Sequence, residues 1–348
     1  MAEEIEVVVV DDAAEVVAGA GACTVVAGPT AAAAIGLDRL APRHRVIPGS
    51  LEELALDRLT DTERGVDSTT VVGVGGGVAL DTAKYLALRT GKDLLLVPTT
   101  LGSLAPFTTE IARRVRRQVT WLGDVAGRTV VDVELLRRAP AARNRAGAAE
   151  VVATIPAVWD WRFADSRDRG LPVSAQVVDV AERCRGLLRE GAEEVAACTP
   201  TGLRLLADLL TALGTACARS GHRRVVDGSG HTYVQSFEHR FGPHRTYGGL
   251  LGLGAVAMST LQAWFGLAAG GPVDPAEAID LLNRCAVEAN PGQLGLDEGT
   301  FRGLLRHTVR FAVGEFLPYS VLNEADVNWS MSEEMWRHCW RVDRVEEG

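Results

Sequence analysis

The stretch "VVGVGGGVALDTAKYLA", residues 71–87, places three consecutive glycines between a β-branched run and an amphipathic segment. Glycine weakens both strand and helix interiors, so a cluster of it marks a place where the backbone itself has a task. At a strand-to-helix turn, glycines let the chain pass close to a ligand. They also leave N–H groups aimed at phosphate oxygens, helped by the helix N-terminus behind them. Gly75, Gly76 and Gly77 are therefore candidates for a pyrophosphate site, with Asp81 and Lys84 spaced i and i+3 on the following helix. The plainer alternative is a tight turn with Lys84 in solvent.

The pattern around this turn is regular. Upstream, "CTVVAG" and "HRVIPG" predict strands, while "PTAAAAIGLDRL" and "SLEELALDRLTD" predict helices; downstream, "DLLLVPTT" is another strand. Short strands alternating with helices predict a parallel sheet covered on both faces. "EIEVVVVDD" near the start is a candidate edge strand, and "TEIARRVRRQVTWLGDVAGR" suggests a hairpin or irregular excursion. Beyond residue 140 the apolar spacing turns helical, as in "AAEVVATIPAVWDWRFAD" and "TGLRLLADLLTALGTACARSG". The expected architecture is an α/β Rossmann-like nucleotide-binding domain over 1–142 and an all-α domain over 143–348.

Composition narrows the partners. The 348 residues carry a formal net charge of −9 and no basic stripe, which argues against nucleic acid or an anionic membrane as partner. An anionic small molecule stays compatible, because a local arginine can bind it. Cys23, Cys184, Cys198, Cys217, Cys285 and Cys339 are scattered with no C-x-x-C pair, and the chain opens without a signal-like apolar segment. Free thiols in the cytoplasm are expected. No apolar run reaches the roughly 18 residues of a membrane span. Lys84 and Lys92 are the only lysines.

"GGGVALDTAK", followed a dozen residues later by "VPTT", resembles the superfamily that joins iron-containing alcohol dehydrogenases, glycerol dehydrogenases, glycerol-1-phosphate dehydrogenases and dehydroquinate synthases. The resemblance implies the dehydroquinate synthase-like fold, NAD or NADP as cofactor, and a homo-oligomer. It places Gly75, Gly76, Gly77, Asp81, Lys84, Thr99 and Thr100 around the dinucleotide. It also implies a divalent metal (zinc, iron or nickel) held by one carboxylate and two histidines. Glu150 in "AGAAEVVATIPAVWDWRFAD" falls on the carboxylate position, and His231 in "GSGHTYVQSFEH" on the first histidine. Such a site with an open position serves as a Lewis acid for a substrate oxygen. In "PHRTYGGLLGLGAVA" Tyr247 stands where the second histidine is expected, and His244, three residues earlier, is the alternative third ligand. Without a complete metal site, His231, His244 or Tyr247 serves as proton donor.

Within the superfamily, "AVWDWRFAD" and "LPYSVLNEAD" resemble glycerol-1-phosphate dehydrogenases, whereas "GGGV", "AEVV" and "GHT" lean toward dehydroquinate synthase. The cyclases grip their substrate with several lysines, which this chain lacks. Leu104 occupies the position where glycerol dehydrogenase-like members carry a substrate-binding aspartate, which disfavours an unphosphorylated polyol. The expected function is hydride transfer between NAD(P) and a small phosphorylated or anionic alcohol or ketone. Arg245 and Ser103 are the candidate substrate contacts, with Thr108, Thr109, Arg113, Arg114 and Arg240 as further polar or anion-binding groups. A redox-recycling sugar-phosphate cyclase and a non-catalytic nucleotide-binding relative are the alternatives.

Overall fold

The computed structural model describes residues 5–243, 246–266 and 272–343. Two compact units emerge: Met1–Asn144 with Cys198–Arg219, and Arg145–Ala197 with Ser220–Gly348. A single cut after residue 142 misses the return of Cys198–Arg219 to the first unit. Its helix approaches so closely that a Cβ on Gly214 would stand 2.0 Å from the Phe107 carbonyl oxygen. Periodicity along a helix shows that it has an apolar face but not what that face covers.

In the first unit six strands form one all-parallel sheet: β1 (Ile5–Val10), β2 (Cys23–Ala27), β3 (His44–Val46), β4 (Thr70–Gly75), β5 (Asp93–Pro98) and β8 (Gly127–Asp132). Their order is β1-β8-β5-β4-β2-β3, so "EIEVVVVDD" does supply an edge strand. The β-branched runs at the centre are buried on both faces, as parallel strands covered by helices must be. Val72 and Val74 face the cluster of Ala13, Val17 and Leu135. Val71 faces the opposite cluster, with Leu56, Leu80 and Tyr85. The arginine-rich excursion is an antiparallel hairpin, β6 (Glu110–Val115) with β7 (Gln118–Asp124), its tight turn made by Arg116 and Arg117 at positive φ. Two helices matter below: α3 (Glu53–Glu63) and α4 (Gly77–Thr90).

The second unit is helical among its described residues. α12 (Tyr247–Phe265) packs against α7 (Thr154–Ser166), α11 (Ser229–Phe241), α13 (Pro275–Arg284) and α15 (Trp329–Cys339). Its four glycines and flanking small residues admit these close neighbours. α7 is buried nearly all round, and Trp159 and Trp161 lie in its core. Contrary to the reading of apolar run length, α10 (Pro200–Ser220) and α12 are both long and apolar enough to cross a membrane. Of their apolar windows, 56% and 83% respectively is buried within the protein, so these residues already serve as core.

Candidate functional site: a glycine turn and a buried carboxylate–imidazole pair

The glycine turn forms as its composition requires. Gly75 ends β4 at φ +144°, a conformation that a side chain opposes. Gly76 is the N-cap of α4, and no side chain caps this helix. The first N–H groups of α4 thus have no Ser or Asp cap. The loop after β5 closes beside the turn. The Thr99 N–H donates to the Gly75 carbonyl at 3.0 Å. A Cβ on Gly76 would lie 3.6 Å from Thr100 Oγ1, and one on Gly77 would lie 3.4 Å from Ser103 Oγ. Gly76, Gly77, Thr99, Thr100 and Ser103 are all partly exposed around this bare helix end. Such a cradle of small residues and hydroxyls fits the diphosphate of a dinucleotide.

The helix residues have a different task. Lys84 is fully buried. Its Nζ donates to the Glu110 carbonyl at 3.0 Å and to Thr108 Oγ1 at 3.4 Å, and stands 3.7 Å from Asp81 Oδ1. Asp81 Oδ1 in turn accepts from the Ala112 N–H. The Asp81–Lys84 pair therefore ties α4 to the start of the β6–β7 hairpin; a ligand contact through Lys84 is corrected by its complete burial. Thr108 and Thr109 are likewise engaged, Thr109 donating to Asp124 at 2.6 Å, and Leu104 is buried in the core. Arg113 pairs with Glu53, the Arg114 N–H donates to the Leu51 carbonyl, and the Arg240 guanidinium lies over the Phe241 ring.

In the second unit Glu150 lies near the end of α6 (Ala141–Val152) and His231 in the first turn of α11. Both are buried, with Glu150 Oε2 and His231 Nε2 3.3 Å apart. This is an ion-pair contact without hydrogen-bond geometry: Glu150 Oε2 and His231 Nδ1 have no hydrogen-bond partner. Burial pushes the His231 imidazole toward its neutral form. Glu150, through contact and charge, and Asp227 outweigh that effect against opposition from Arg223, so its pKa is raised. Tyr247, the first residue of α12, is partly buried. Burial, then the Glu150 and Glu238 carboxylates, hold its phenol well above the ordinary tyrosine value, so the hydroxyl keeps its proton.

The donors test the metal expectation. Two ligands of one tetrahedral zinc-type ion, at about 2.0–2.1 Å each, stand roughly 3.3 Å apart. The Glu150–His231 separation matches that figure, and the unpartnered Oε2 is consistent with it. Among the described residues, however, no group of three or more His, Cys, Asp or Glu side chains could hold a metal. His244 and Arg245 lie outside the described residues. The described donors thus make up two of the expected three ligands.

Sequence reasoning missed three contributors. Arg223 and Asp227, in the turn before α11, act electrostatically on both His231 and Tyr247. Asp160 on α7 accepts the Ser229 N–H at 2.7 Å. The only signal for these was proximity of Arg223 and Asp227 to "GSGH"; Asp160 lies 71 positions before His231 and gave none.

Comparison with known proteins adds the family context. A family model described as iron-containing alcohol dehydrogenase matches residues 37–140. The chain is 24% identical over 299 residues to a glycerol-1-phosphate dehydrogenase [NAD(P)+] of Sulfurisphaera tokodaii, covering 84% of this chain and 80% of that one. It is 26% identical over 286 residues to the protein of that name from Hyperthermus butylicus, covering 81% and 77%. The fold resembles the crystal structure of a probable glycerol dehydrogenase from Sinorhizobium meliloti 1021, with a TM-score of 0.71, 16% identity, and 97% and 96% coverage.

Proposed function

We propose that this chain, similar over residues 37–140 to iron-containing alcohol dehydrogenases and over most of its length to glycerol-1-phosphate dehydrogenases, is an NAD(P)-dependent oxidoreductase acting on a small phosphorylated or otherwise anionic alcohol or its ketone. The observation that carries the catalytic part is the buried Glu150–His231 pair, with a protonated phenol at Tyr247 among the same charges. The names of the curated relatives supply the substrate class, glycerol-1-phosphate.

NAD(P), when bound, supplies or takes up the hydride. The uncapped start of α4, with Gly75, Gly76 and Gly77 and the hydroxyls of Thr99, Thr100 and Ser103, holds its diphosphate and orients it. In the second unit, Glu150 favours a proton on His231 Nε2. The imidazolium gives that proton to the oxygen that becomes a hydroxyl in reduction, and takes it back in oxidation. The Tyr247 phenol donates a hydrogen bond to the same oxygen. Burial of the pair excludes water and strengthens the charge interactions. Arg245 and Arg223 are proposed to attract the substrate's anionic group.

The cyclase alternative loses support at one point: both lysines are committed to structural bonds within the first unit, so neither is left to grip a phosphate. Homo-oligomeric assembly and a cytoplasmic setting belong to the same proposal, and light scattering reads the first. The deciding experiment monitors absorbance at 340 nm with glycerol-1-phosphate and either NAD+ or NADP+, against unphosphorylated glycerol. Substrate-dependent NAD(P)H formation, stronger with the phosphate ester, is the expected outcome. Cofactor binding with no turnover on any alcohol or ketone would instead identify a non-catalytic relative.

A further inference from the structure

α11 carries His231 on its first turn yet has no capping side chain of its own: Gly228 is its N-cap. The first backbone N–H groups of a helix need partners when buried. For Ser229, which is fully buried, the partner comes from another helix. Asp160 on α7 accepts the Ser229 N–H through Oδ2 at 2.7 Å and the Val321 N–H through Oδ1 at 2.9 Å. The helices meet backbone to backbone here, since a Cβ on Gly228 would lie 2.6 Å from Ala157 Cα and 2.9 Å from Asp160 Oδ2. Gln262 on α12 adds a second hold, its Nε2 donating to the Pro156 carbonyl at 3.0 Å and to Ser229 Oγ at 3.4 Å. Arg224, just ahead of α11, donates to the Asp160 and Tyr319 carbonyls.

Glu150 and Asp160 lie ten positions apart on consecutive helices, and both reach the first turn of α11: one touches the His231 ring, the other the backbone two residues before it. We propose that Asp160 is a positioning residue, clamping Ser229 with the help of Gln262 so that His231 Nε2 stays within reach of Glu150 Oε2. The inference rests on the dehydrogenase reading for its effect on turnover, though not for the clamp itself. A carboxylate is suited to this role because each oxygen accepts one N–H; asparagine of the same shape satisfies one and presents a donor to the other.

The test compares Asp160→Asn with Asn323→Ala. The second variant removes the acceptor of the Ser320 N–H and loosens the turn that holds Val321, leaving the Ser229 contact in place. Asp160→Asn is expected to lower kcat on the order of 10²-fold, as misplacing a reacting group by about 1 Å does. It should also shift the pH profile of kcat while KM for NAD(P) is unchanged, and speed amide exchange across residues 229–232. Asn323→Ala should lower Tm but leave kcat, the pH profile and that exchange as in the unaltered protein. Should Asp160→Asn not fold, Gln262→Leu reads the same clamp, with an expected loss of kcat of about threefold. Equal loss of kcat in Asn323→Ala and Asp160→Asn, or an Asp160→Asn protein with unchanged kcat and exchange, overturns the proposal. If the unaltered protein turns over no substrate, the functional reading fails; faster exchange at 229–232 in Asp160→Asn alone would still support the clamp.

Discussion

Gly75 shows how little room a single position leaves. At φ +144° it lies where a side chain is strained, and a Cβ would approach Ala79 Cβ to 3.1 Å. Gly75→Ala should lose about 1–3 kcal/mol of stability, the usual cost of strained backbone, and weaken NAD(P) binding. Thermal denaturation with and without cofactor measures both. At the other centre, His231→Ala and Glu150→Gln should each lower kcat by about 10²-fold or more while the dissociation constant for NAD(P) stays put, read by stopped turnover and cofactor fluorescence. The glycine cluster was legible from residue type alone, whereas Glu150 and His231 were singled out only by the resemblance of their segments to the superfamily. Lys84 was misjudged, because i, i+3 spacing to Asp81 says that the two meet but not whether they face solvent. Its burial was decided by the hairpin lying over α4.

Among the elements, the clearest case is the end of α3. Glu63 is fully buried there and accepts from Lys92 Nζ at 2.6 Å, Thr24 Oγ1 at 2.8 Å and Ser68 Oγ at 3.0 Å, with His44 Nδ1 3.2 Å away. It therefore links α3 to β2, to β3 and to the loop and turn flanking β4 and β5. Burial raises the carboxyl's pKa, but the bonds from Lys92, Thr24, His44 and Ser68 outweigh it, and the folded value lies below the ordinary 4.5. Because the folded value is the lower one, the carboxylate's stabilisation is fully present above pH 4.5 and is lost as pH falls through the folded value. Glu63→Gln should lower stability at pH 7 by about 1–3 kcal/mol and flatten its decline under acid, as denaturant titrations at pH 7 and pH 3.5 would show. The strands and helices here were readable from period and β-branching. The network was not, since Thr24, His44, Glu63, Ser68 and Lys92 are brought together only by strand order β5-β4-β2-β3.

At the scale of the molecule, both lysines are interior: Lys84 is fully buried, and only 11% of the Lys92 side chain is exposed. An amine-acylating reagent should therefore leave both unmodified in the folded protein and modify both in urea, a difference that intact and peptide mass spectrometry resolves. Extensive acylation of Lys84 under native conditions would contradict the packing of the hairpin on α4. The alternation of short β-branched runs with helices determined an α/β first half, and the glycine cluster determined where its uncapped strand-to-helix turn lies. Those features are local: period 2 or 3.6 and the φ needs of glycine act within a few residues. Tertiary structure alone decided that Cys198–Arg219 returns to the first unit and that the long apolar helices are core. It also decided that Asp160, through Ser229, stands behind His231. Each depends on contacts between residues tens of positions apart, where burial and hydrogen-bond pairing are settled by which faces meet, a fact that no stretch of chain carries by itself.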